Sequence, residues 1–302
     1  MTIPDGRAAT RPGSSRPSGA AIILSLALSS GAALGAQSGP ISLEGAVDWS
    51  AREARVAASA DARALALNPP SGRARGEALL ERELPGLMRG ALLGLLVDSR
   101  TTLGDALASG DYPAEAFDAV VGAAARENAR FAPDMSAFLA DYRVSLQDIA
   151  APLVRHSRAS APTVLLGYAP VRAFSGILVF AKGRLPVRGE RGEAALRPCL
   201  FPRVWTEDME IVLERNTVKP DAVRRWGVAG YAEDDGSEPW EARAGDAPLR
   251  IMAVAVFGSN RTDVVISRED ALRVLSSENR ALLAEGRVVI LVESASSPIS
   301  IR

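Results

Sequence analysis

The sequence predicts an α+β fold, with a helical N-terminal region followed by a mostly antiparallel sheet covered by a C-terminal helix. Three observations predict it. Apolar residues recur at helical spacing in two stretches between residues 50 and 94. From residue 174 onward, short runs rich in Val, Ile, Leu and Phe are separated by Pro- and Gly-rich turns. Near the end, Ser267 opens a capped amphipathic stretch that feeds directly into a strand pattern. These are the two periodicities that separate helix from sheet, and their order along the chain is that of an α+β domain. With 47% hydrophobic and 24% charged residues, the chain has enough apolar side chain to bury a core.

The first element is a three-part leader. Arg7, Arg11 and Arg16 precede the apolar run Ala20–Leu28, and small residues fill Ser29–Ala36. That is the plan of a secretory signal peptide over residues 1–36. Cleavage is expected after Ala36 or Gly35, where Ala33 and Gly35 supply the best small-residue pair. The apolar run is shorter than the ~20 residues a spanning helix needs. No Arg-Arg pair precedes it, and Gln37 rather than a cysteine follows it, so neither the twin-arginine route nor lipid anchoring at that point is expected. The expectation is an exported, periplasmic, non-lipidated protein without a transmembrane segment in the mature chain.

The mature chain reads as two domains, 37–160 and 161–302, helix-rich and β-rich respectively. Residues 50–67 read as an alanine-dominated helix capped by Asp48 or Ser50, ended by Asn68-Pro69-Pro70-Ser71-Gly72. Residues 75–94 read as a second helix through Leu80, Leu84, Leu87, Met88 and Ala91, with Pro85 and Gly86 marking a kink. Asp111 is the expected cap of a helix whose Ala116, Val120 and Val121 face inward, and Phe138–Ile149 reads as a strand. In the second half the strand candidates are Phe174–Ala181, Cys199–Trp205, Glu210–Leu213, Trp226–Tyr231, Leu249–Phe257 and Arg287–Glu293. A single helix is expected over 268–285, with Ser267 as N-cap and Gly286 as C-cap.

Counts of residue types exclude several chemistries. Lys+Arg is 35 and Asp+Glu is 36, so nothing draws the chain toward nucleic acid. One cysteine, Cys199, allows no intramolecular disulfide, and one histidine, His156, allows no histidine cluster for a metal. A Cys199–His156 nucleophilic pair would require a lowered thiol pKa and a base within hydrogen-bond reach. The apolar setting Arg197-Pro198-Cys199-Leu200-Phe201-Pro202 points instead to a core cysteine. The Gly-x-Ser-x-Gly elbow and the phosphate-binding glycine motifs are lacking. Glu233-Asp234-Asp235-Gly236-Ser237-Glu238 carries carboxylates around a glycine turn but lacks the spacing of a calcium loop. Trp205, Trp226 and Trp240 could line a glycan groove, although tryptophans on strands more often serve the core. The expectation is no catalytic residue, no cofactor site and no metal site.

Certain stretches form a familiar pattern: Phe174-Ser175-Gly176-Ile177-Leu178-Val179-Phe180-Ala181-Lys182-Gly183, Leu196–Val204, Ile251–Gly258, Thr262–Ile266 and Arg287–Ile290. The pattern resembles the bacterial outer-membrane lipoprotein family called LPP-twenty-like, which includes flagellum-associated envelope proteins T and P. The resemblance covers roughly residues 160–293. Phe180 stands where that pattern has an aspartate, and the lipid-bearing cysteine is missing. The resemblance implies a non-enzymatic envelope protein, a periplasmic structural or assembly factor associated with the flagellum or outer membrane. Its expected partner is an envelope protein or a second copy. The alternative is a periplasmic binding module for a small ligand or glycan.

Overall fold

A computed structural model describes residues 40–68, 71–234 and 238–299, with the side chains of Glu238 and Pro239 left out. The expected signal peptide and residues 235–237 of the acidic turn at Glu233–Glu238 lie outside the described residues. The described residues open with strands, which corrects the expected helical start. Strand β1 (Ile41–Asp48) and strand β2 (Glu53–Asp61) pair antiparallel across a tight turn. Alanine's helix propensity misleads over 50–67, because propensity is a weak prior that tertiary context overrides. In β2 the buried residues are Ala54, Val56, Ala58 and Ala60, a period of two rather than 3.6.

Helix α1 (Gly72–Leu92) follows and keeps Pro85 inside it. Its buried face, Leu80, Leu84, Met88 and Leu92, covers the strands. Gly76 lets it come close: a Cβ there would stand 2.8 Å from the ring of Phe138. Helix α2 (Leu103–Ala108) starts from a capping box between Thr102 and Asp105, and helix α3 (Ala114–Gly122) starts after Pro113 rather than from Asp111. Strand β3 (Ala125–Phe131) and strand β4 (Ala137–Ser145) complete the first sheet, and helix α4 (Leu146–Ala150) ends this half, so the expected strand to Ile149 stops short. Ser145 explains the stop, since its hydroxyl accepts from the amides of Gln147 and Asp148, as an N-cap does.

The second half builds a seven-stranded mixed sheet. Its elements in order are β5 (Ile177–Phe180), β6 (Arg184–Pro186), β7 (Glu193–Ala195), β8 (Val204–Thr206), β9 (Ile211–Leu213), α5 (Pro220–Trp226), β10 (Gly230–Ala232), α6 (Glu238–Ala244), β11 (Leu249–Phe257), β12 (Asp263–Ile266), α7 (Arg268–Val274), α8 (Arg280–Ala284), β13 (Val288–Leu291) and β14 (Ser296–Pro298). The spatial order is β10-β13-β5-β11-β12-β8-β9. Four pairings, β10–β13, β13–β5, β5–β11 and β12–β8, are parallel, so the sheet is not mostly antiparallel. Parallel neighbours need crossover connections, and α5, α6 and the α7–α8 pair lie on them.

The expected single C-terminal helix is two short ones. Ser267 caps α7 as read, its hydroxyl accepting from the Asp270 amide. Asn279 then interrupts the run. Fully buried, its side chain donates to the carbonyls of Arg172 and Arg273 and accepts from the Phe174 amide. An asparagine that competes for backbone groups breaks a helix.

After β13 the chain returns to the first half, where β14 pairs antiparallel with β1 on the outer edge of the first sheet, β14-β1-β2-β4-β3. Residues from Gly39 on form one compact unit. One apolar core runs through both sheets, and a second, smaller cluster around Leu178, Trp240, Val289 and Leu291 lies under α6.

Candidate functional site

Cys199 and His156 do not meet. Cys199 sits in a buried polar knot that ties the two sheets' surroundings together. The Tyr231 hydroxyl accepts from the Cys199 amide at 3.1 Å and donates to the Cys199 carbonyl at 3.2 Å. The ring of Tyr231 packs edge-on against Trp49 of the first half, with centroids 5.9 Å apart. Burial, followed by the nearby Asp263 carboxylate, pushes the Cys199 thiol up to about 12, and a thiol held neutral is a poor nucleophile. Cys199 should therefore resist iodoacetamide at pH 8 in the native protein and react once the chain is unfolded. The raised value also fixes a pH dependence: its contribution is complete below pH 9, the thiol's ordinary value, and lost as pH rises toward 12. The expected slope from this one group is about 1.4 kcal/mol per pH unit in that window. Rapid native labelling, or a Cys199→Ser variant with an unchanged alkaline limb, would contradict this.

Asp263, which the sequence did not single out, is the second member of the knot. It is fully buried, and burial raises its pKa. Trp205 Nε1 donates to it at 3.0 Å and the Arg203 amide at 3.3 Å. A perturbed carboxyl is a functional candidate only where it faces a cleft. Here its partners are structural, joining β12 to β8 and to Arg203 just before it.

His156 lies elsewhere, half-buried beside Lys219, Asp221 and Arg224. Its Nε2 stands 2.8 Å from the Val218 carbonyl, which can only accept, so the proton is on Nε2. The three tryptophans are likewise apart. Trp205 stacks edge-on with Phe257, Trp226 Nε1 donates to the Glu285 carbonyl, and Trp240, on α6, is buried against Leu178, Val289 and Leu291. Among the described residues no group of three His, Cys, Asp or Glu side chains is placed to hold a metal ion.

A second feature missed in the sequence is a pair of arginines. Arg243 is 6% exposed and donates to the carbonyls of Trp226, Gly227 and Gly286 at 2.6, 2.8 and 2.7 Å. Those carbonyls lie at or just beyond the C-terminal ends of α5 and α8, where a cation is favoured. Burial and the nearby Arg52 push the Arg243 pKa well below its ordinary value. Arg52, in the β1–β2 turn with φ +60°, lays its guanidinium against Gly227. A Cβ at Gly227 would stand 2.7 Å from Arg52 Nη1. Burial lowers the Arg52 pKa to about 10, and its Nη1 is buried with no hydrogen-bond partner. No spacing in the sequence could have joined Arg52 to Arg243.

Two surface features remain. A cleft of about 480 Å³ lies between the halves, floored by Trp49, Leu92, Leu95 and Leu196 and rimmed by Arg197 and Ser297. The segment 161–174, between the two halves, exposes Val164, Leu166 and Tyr168 at 85, 87 and 86%.

Comparison with known families divides the chain at this segment. Residues 40–152 match the family model of the N-terminal domain of Treponema pallidum Tp0624, and residues 176–294 match that of the second domain of the same protein. No curated protein matches the chain. No helix among the described residues is long and apolar enough to cross a membrane. The chain is thus similar, half by half and in the same order, to the N-terminal and second domains of Treponema pallidum Tp0624.

Proposed function

We infer that the chain is a non-enzymatic exported envelope protein, a periplasmic structural or assembly factor that works by contact with another protein at the outer membrane or flagellum. The observation that carries this reading is the cluster Val164, Leu166 and Tyr168 on the surface. Apolar side chains exposed together mark interaction sites more often than isolated ones do. The polar groups that might otherwise suggest chemistry are committed to the fold: the Cys199 thiol is held neutral, and Asp263 and Arg243 are buried among structural partners. The test is purification of the tagged mature protein from envelope extracts, with partners identified by mass spectrometry and the oligomeric state measured by sedimentation. A stoichiometric partner or a defined oligomer is expected. A strict monomer that retains nothing would remove the reading.

The cleft of about 480 Å³ favours a second reading, a small-ligand module, since binding pockets of this size prefer domain boundaries and apolar floors. Ligand-induced stabilisation by a glycan or amphiphile, abolished by Leu95→Trp, would support it.

A further inference from the structure

We propose that residues 161–174 are a docking segment for an extended, acidic stretch of a partner polypeptide. This deepens the interaction reading above and rests on it. Among the described residues, no N–H or C=O of 161–174 is bonded to another backbone group. Only side chains reach this backbone: Asn279 binds the Arg172 carbonyl and the Phe174 amide, and Arg268 binds the Leu166 carbonyl. Pro162 and Pro170 have no N–H to offer, so the remaining amides and carbonyls between them form an unclaimed set of donors and acceptors. The stretch also runs beside a sheet edge. Thr163 Oγ1 donates to the Ile211 carbonyl on β9, the outermost strand, without forming a ladder with it. Free backbone at a sheet edge is what an added strand recognises, with alternate side chains supplying selectivity.

The side chains fit the same occupant. Val164 and Leu166 alternate with the half-buried Leu165, and Tyr168 follows past a bend at Gly167, φ +144°. A groove of about 340 Å³ beside them is lined by Leu165, Leu272 and Leu275. Charge selects among the occupants. Arg280 lines the groove, and Arg172 is exposed on the segment itself, its guanidinium over the Phe174 ring and its carbonyl bonded by Asn279. Neither guanidinium has a carboxylate within ion-pair distance among the described residues, and Glu278 is the one acid on the groove. A second copy would bring the same arginines together. A bilayer would leave the backbone groups unsatisfied. An acidic polypeptide satisfies both.

The test uses the full mature chain against a phage-displayed library of random ten-residue peptides, with counter-selection on the triple variant Val164→Ser/Leu166→Ser/Tyr168→Ser. These side chains are exposed, so the variant should melt as the native protein does. Enriched peptides should alternate apolar and acidic residues, bind the native chain at least tenfold more tightly than the variant, and lose affinity tenfold on Arg172→Glu/Arg280→Glu. Hydrogen exchange should show protection of the 163–169 amides on binding. No enrichment, or binding that survives the triple variant, overturns the proposal. Binding of phosphatidylglycerol vesicles abolished by the triple variant puts lipid there instead and overturns it, as does a dimer dissolved by that variant. An envelope partner retained equally by native and variant chains leaves the interaction reading intact and removes this site.

Discussion

Arg243→Ala is expected to destabilise the protein by about 3–5 kcal/mol, enough to unfold a marginal domain. The side chain donates charge-assisted bonds to three carbonyls and is almost wholly buried. Removing it leaves those acceptors, next to two helix C-termini, without a donor, and each unsatisfied buried group costs about 1–3 kcal/mol. Arg243→Lys should recover little of this, because an ammonium is a point charge and cannot span three acceptors with a planar fork. The loss should not depend strongly on salt, since a buried charge is poorly screened. Chemical denaturation of both variants at two ionic strengths decides it. A cost below about 1 kcal/mol, or full rescue by lysine, would show that the three bonds do not hold α5 and α8 in place.

A chain ending at Ile266 is expected not to fold. It loses α7, α8, β13 and β14 together. Val274, Leu283, Val288, Val289, Ile290, Leu291 and Val292 are all buried in the native protein, and burial of each contributes about 1.5–3 kcal/mol. Together they rival the ~5–15 kcal/mol stability of a domain. The topology makes the loss worse than the area alone suggests. Strand β13 lies between β10 and β5, so its removal separates β10 from the sheet. Circular dichroism and a thermal scan should show no cooperative transition, and association should be lost with the fold. A fragment that melts cooperatively would place the core elsewhere.

The helix cap at Ser267 and the strand Leu249–Phe257 were legible because each rests on local chemistry. A serine before an acidic first turn caps a helix wherever it occurs, and Leu249–Phe257 is a largely apolar run of strand length whose first seven residues alternate between buried and exposed. Strand β2 was not legible in the same way. Its alanines satisfy a helical stripe through Val56 and Ala60 as well as a two-residue period through Ala54, Val56, Ala58 and Ala60, and only pairing with β1 and β4 selects the second. Trp226 shows the same limit. It reads as the start of a strand, yet it ends α5, and Gly227 at φ +78° turns the chain before β10. The buried knot and the arginine pair were invisible for a different reason. Cys199 and Tyr231 lie 32 residues apart, and Arg52 and Gly227 meet across the two halves. Such contacts are products of the fold and leave no spacing behind.

The strand that closes the first sheet comes from the far end of the described residues. Because β14 pairs with β1, a chain that emerges N-terminus first must hold the β1 edge open until β14 has followed. During that interval the first half carries an unpaired strand edge, the kind of surface that sticks to other chains. Contacts between residues far apart in the sequence also slow folding. The two halves therefore have a shared completion step even though each has its own sheet. A chain that folds as it is made stays unfinished at β1 until β14 arrives.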